Sequence, residues 1–138
     1  MTESRLRAAC ADCPCCGYRT LPERGGYDIC ILCFWEDNGS DDINAGGPNR
    51  NVSLAEARAN FCDHLTMYPV GKDTRIGGVD SALMVEAKRK IIAAFDALRS
   101  GADVARAWEV IEHNEAILEA EHDRRIAEYE AAHAPGRD

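Results

Sequence analysis

Cys13 and Cys16 stand two residues apart, and Cys30 and Cys33 repeat that step after thirteen intervening residues, giving C-x2-C-x13-C-x2-C. Paired thiols at this spacing are the signature of a tetrahedral metal site, because each C-x2-C turn aims two thiolates at one ion. Pro14 fixes the first turn and Gly17 permits the tight backbone after it. The expected ion is Zn2+, with Cys13, Cys16, Cys30 and Cys33 as its ligands. Iron in a rubredoxin-like site is the competing metal. A shell of four protein sulfurs leaves no position for water, so the site is expected to be structural and the protein not an enzyme.

Cys15 lies between the two ligands of the first turn and reads as a spectator thiol or a donor to a ligand, with exchange for Cys13 or Cys16 as the alternative. Cys10 is expected on an exposed arm and Cys62 in the core. A thioredoxin-like redox pair would need a βαβ setting that the flanking residues do not supply.

Something must bring the two turns together. Tyr18 to Leu21 and Tyr27 to Ile29 read as arms of a hairpin turning at Pro22 to Gly26. The stretch Glu36 to Asn51 is nearly all turn formers and reads as a solvated linking loop. Ser53 and Glu56 form a capping-box signature, followed by Leu54, Ala57, Phe61 and Leu65 at helical spacing. A second helix is expected from near Asp80 to Gly101, with Met84, Ala87, Ile91 and Phe95 on one face. Asp103 caps a third, whose distal part, poor in apolar residues, is expected to project and to lean on pairs such as Glu121 with Arg125.

The expected fold class is therefore α+β: a small zinc-ribbon-like β-hairpin module followed by about three α-helices. Its organisation is a flexible arm over 1–12, a zinc module with the first helix over 13–62, and a helical region over 63–138. So small a hairpin cannot bury enough apolar surface alone, whereas structural zinc supplies about 10–16 kcal/mol of apparent binding free energy.

The chain of 138 residues carries 24 acidic and 16 basic side chains, net −8, which opposes binding to phosphate backbones. Residues 101–138 hold ten carboxylates against four arginines, so the acidic pole is C-terminal and fits a protein partner with a basic surface. A nucleic-acid-binding ribbon is the alternative, which steep salt dependence would reveal. No apolar stretch approaches a membrane span and no h-region follows Met1, so no membrane association is expected; clustered cysteines without a signal peptide point to the cytoplasm.

Cys13-Pro14-Cys15-Cys16-Gly17-Tyr18, Thr20-Leu21, Tyr27-Asp28-Ile29-Cys30 and Cys33-Phe34-Trp35-Glu36-Asp37, continued by Gly46-Gly47-Pro48-Asn49 and Ser53 to Phe61, resemble the bacterial cysteine-rich CPCC family. The resemblance covers roughly Cys13 to Phe61. It implies a zinc-binding module with the same four ligands, packing of the first helix through Phe34, Trp35 and the Gly46 to Asn49 turn, and no known reaction. Immunity- or antitoxin-like binding of a basic toxin is the function it suggests.

Other constellations carry less. His64, His113, His122 and Asp63 do not share a helix face at ligand spacing and read as solvated or core residues. Glu36 to Asp42 does not match the calcium-loop pattern, and Lys88 to Lys90 read as a solvated face.

Overall fold

The computed structural model describes residues 10–49, 51–101 and 103–133. Of the arm expected over 1–12, residues 1–9 lie outside the described residues. The chain divides into two compact units, 1–72 and 73–138, and each is built from its own core.

The first unit has no hairpin of the expected kind. Among the described residues it contains only two isolated bridges, Ala11 with Leu21 and Ile29 with Glu36, so the α+β assignment is corrected to helices plus an irregular cysteine module. The physical reason is that each C-x2-C turn closes its own loop. The Ala11 amide donates to Leu21 O at 2.7 Å and the Cys13 amide to Tyr18 O at 2.9 Å, wrapping the chain around the first turn. The Cys30 amide donates to Trp35 O at 3.0 Å and the Tyr27 amide to Asp37 O at 2.9 Å, wrapping it around the second. The backbone groups meant to pair 18–21 with 27–29 are thereby used locally, and Tyr27 at φ 60 leaves the extended region altogether.

The stretch after the second turn is more ordered than a solvated loop. The Asp37 side chain is fully buried, accepting from Arg24 Nε (2.9 Å) and from the amides of Gly25 (2.8 Å) and Gly39 (3.0 Å). Burial pushes the Asp37 carboxyl up, but these donors outweigh it and hold the group below its ordinary range. Asn49 clasps the backbone of Glu36 from both sides, accepting from its amide at 2.8 Å and donating to its carbonyl at 3.0 Å. Gly46 is needed here because a Cβ would strike the Val52 carbonyl.

Helix α1 spans Leu54–His64 and begins with the full reciprocal capping box of Ser53 and Glu56. It ends where Leu65 turns left-handed, at φ 69. Leu54, Ala57 and Phe61 face a core completed by Leu21, Leu32, Trp35 and Met67. Cys62, one residue from Phe61, falls on the solvent side and is exposed, against the expectation of core packing.

In the second unit, α2 spans Ala82–Arg99 and α3 spans Val104–Ala132, packed against each other. Ser81 caps α2, and Asp103 caps α3. Phe95 meets Trp108 edge-on at 5.9 Å, and Arg125 donates to Gly78 O at 3.1 Å, which fixes an antiparallel register. Met84, Ala87, Ile91, Ile111 and Leu118 form the apolar seam.

That seam contains charge. Lys88 is fully buried, with Nζ 2.7 Å from Asp80 Oδ2, so it does not belong to a solvated basic face. Arg75 bridges Asp73 (2.6 Å) and Asp80 (2.8 Å) with all three side chains buried. The helix register brings Glu115, also buried, level with Lys88. Glu115 is therefore removed from the acidic surface expected on this helix. Burial pushes Asp80 up, but Lys88 and Arg75 prevail and hold it below the usual carboxylate range. His122, half-buried beside them, is pushed down by burial and by the same two cations. Further along α3, Glu121 pairs with Arg124 instead of Arg125, which binds the carbonyls of Gly78 and Val79. No helix among the described residues is long and apolar enough to cross a membrane.

Candidate metal centre

Both C-x2-C turns use the same local construction. The Gly17 amide donates to Cys13 O at 2.8 Å and the Phe34 amide to Cys30 O at 2.9 Å, and both residues adopt positive φ, 81 and 70. Glycine accepts that conformation freely; phenylalanine accepts it at a cost of roughly 1–2 kcal/mol, which the surrounding turn must hold in place. After each turn the chain reverses and the two thiols of the pair end on one side.

The sulfurs of Cys13, Cys16, Cys30 and Cys33 all lie within 4.8 Å of one another, and among the described residues they are the one such group that could hold a metal ion. Cys13 Sγ is 3.5 Å from Cys33 Sγ, and Cys16 Sγ is 3.7 Å from Cys30 Sγ. Ligands about 2.3 Å from a tetrahedral centre would be about 3.8 Å apart, so the cluster has the dimensions of a single-ion shell. Cys13, Cys30 and Cys33 are buried and Cys16 is partly exposed, so the site is largely closed.

The electrostatics favour a cation. Burial pushes Cys33 up, and neighbouring thiols push it further. Cys16 is raised foremost by its hydrogen bond with Cys13. Burial also works against ionising Cys30, yet hydrogen bonds from Cys13, Cys16 and Cys33 and from the Cys33 amide hold it well below the ordinary thiol value. A divalent ion among these sulfurs favours ionising all four.

Several neighbours steady the sulfurs. The amides of Leu32 and Cys33 point at Cys30 Sγ from 3.4 and 3.5 Å, and the buried Thr20 hydroxyl lies 3.0 Å from it, placed to donate. Such donors orient and tune thiolate ligands. Helix α1 is tied to both turns: Arg58 Nε donates to Pro14 O at 2.9 Å, and the Met67 amide just beyond the helix donates to Cys33 O at 2.8 Å. Tyr18 meets Phe61 with ring centroids 6.4 Å apart. Sequence reasoning assigned no role to Thr20 or Arg58. Their contacts span up to 44 residues along the chain, which spacing alone does not reveal.

Cys15 stays outside the four-sulfur group but is buried, and its hydrogen bond with Cys33 pushes the Cys33 thiol up. Cys10 is partly exposed. His64 Nε2 lies 2.6 Å from Tyr68 O, His113 is exposed, and His122 belongs to the second unit. None of them joins the cysteine group.

A family model for "Cysteine-rich CPCC" matches residues 11–71, a span that coincides closely with the first unit. No curated protein and no solved structure matches the chain.

Proposed function

We propose that residues 11–71, which match the family model for "Cysteine-rich CPCC", form a structural zinc centre within a non-enzymatic, protein-binding protein. The observation that carries the zinc reading is the closed group of four sulfurs at single-ion spacing. Zinc suits it because a d10 ion accepts four thiolates tetrahedrally without redox demands, and a filled sulfur shell offers no position for activating water. Its work is to supply the folding free energy that eleven helical residues and a small apolar core do not.

The binding reading rests on the distal half of α3. Glu119, Asp123, Glu128 and Glu130 are exposed there beside Ile126 and Tyr129, which are also exposed. An acidic helix with aromatic and aliphatic side chains on its surface is suited to a partner with a basic rim and an apolar centre. An immunity- or antitoxin-like protein would present such a surface to a basic toxin. Capture from the native host followed by association kinetics tests this. Reversing Glu119, Asp123 and Glu128 to Lys is expected to slow association and flatten its salt dependence while zinc content is retained. Unchanged on-rate and affinity for every captured partner would contradict it.

A further inference from the structure

Away from its buried face, α2 carries a second stripe: Leu83, Glu86, Lys90, Ala93 and Ala97, spaced three, four, three and four residues apart as in a coiled-coil seam. Leu83 is 53% exposed. Beside the stripe, α2 and α3 border a groove of about 380 Å³ lined by Ala93, Ala97, Ala107 and Val110, with Lys90 and Arg106 at its rim. Knob and hole are thus on the same molecule but on different turns of α2, where they cannot meet each other.

A second copy solves this. With two α2 helices antiparallel about a two-fold axis crossing between Glu86 and Lys90, each Glu86 faces Lys90 of the other copy. The same register brings Leu83 of each copy level with Ala93 of the other, at the mouth of the groove. A parallel pairing would instead set Glu86 on Glu86 and Lys90 on Lys90, so the charges select the antiparallel arrangement. The contact is isologous and closes on itself. We propose that this chain forms a two-fold symmetric dimer through the Leu83 to Ala97 face of α2, with Leu83 of each copy seated in the alanine-lined groove of the other. This goes beyond the metal reading and does not depend on it.

Sedimentation of the zinc-loaded full chain at about 100 µM, well above the dissociation constant of a specific dimer, is expected to show a dimer. Leu83→Asp is expected to give a monomer with unchanged far-UV circular dichroism. Glu86→Lys and Lys90→Glu, each placing like charges opposite, are expected to raise the dissociation constant at least about tenfold. The double reversal Glu86→Lys with Lys90→Glu restores complementarity and is expected to return it to within about threefold. All three positions are exposed, so folding is not at stake. A monomeric wild type, single reversals without effect, or a double reversal as weak as the singles would each overturn the proposal.

Discussion

Among the described residues, the unit ending at Lys72 has one helix of eleven residues and holds its core around four sulfurs, whereas the unit beginning at Asp73 has two helices of 18 and 29 residues and an apolar seam. In the first, polar groups are used up locally: Asp37 on two glycine amides, Asn49 on the backbone of Glu36, thiols on one another. In the second, charged groups are buried in pairs, Arg75 and Lys88 on Asp80. A metal shell stabilises by many strong bonds to one point, while a buried ion pair roughly breaks even and chiefly punishes the loss of one partner. The two units should therefore fail differently.

The largest expected effect is removal of the metal. Chelation, or Cys30→Ser, is expected to withdraw a contribution of about 10–16 kcal/mol and unfold the first unit. Hydrogen exchange resolved by segment should show α1 losing protection while α2 and α3 keep theirs; equal loss in both would break the comparison. Next comes the buried charge. Asp80→Ala leaves Lys88 buried beside an empty place and is expected to cost about 3–5 kcal/mol in the second unit. Adding Lys88→Met should recover part of that, measured as a coupling in denaturant unfolding. A cost below about 1 kcal/mol for Asp80→Ala would mean the pair is solvated.

Acid separates the units more gently. His122 titrates below its ordinary 6.5 in the folded chain, so below pH 6.5 the unfolded state takes up a proton that the folded state refuses. Stability of the second unit is expected to fall as pH drops from 6.5 towards that lower value, and His122→Asn should remove this slope. Asp80, depressed from 3.8, adds a further loss as pH falls below 3.8. Thermal melts of the zinc-loaded protein across this range, with and without the substitution, would show it. The smallest effect belongs to Cys15→Ser, which is expected to keep the metal and change stability by no more than about 1 kcal/mol, since the four-sulfur group is complete without Cys15.

Much of this was legible in the residues. The Ser53–Glu56 capping box and the apolar periodicities locate α1, α2 and α3, because local bonding and one-sided burial leave direct marks in sequence. The cysteine spacing points to the group that the structure assembles. The hairpin was not legible, since alternating residues near turn formers look the same whether a strand pairs with its neighbour or folds back around a C-x2-C turn. Lys88 illustrates a different failure. It stands four residues after Met84 and three before Ile91, on the apolar face, as Glu115 stands between Ile111 and Leu118. The periodicity was present for both; reading charge type ahead of position sent them to the surface.

Metal analysis, with cobalt substitution as its spectroscopic counterpart, tests most directly whether Cys13, Cys16, Cys30 and Cys33 together hold one zinc ion. The purified chain is expected to contain about one zinc, and its cobalt form to show sulfur-to-metal charge transfer with tetrahedral ligand-field bands, both lost in Cys30→Ser. Stoichiometric iron in the purified protein, or full zinc content after Cys13 and Cys30 are both replaced by Ser, would contradict the account.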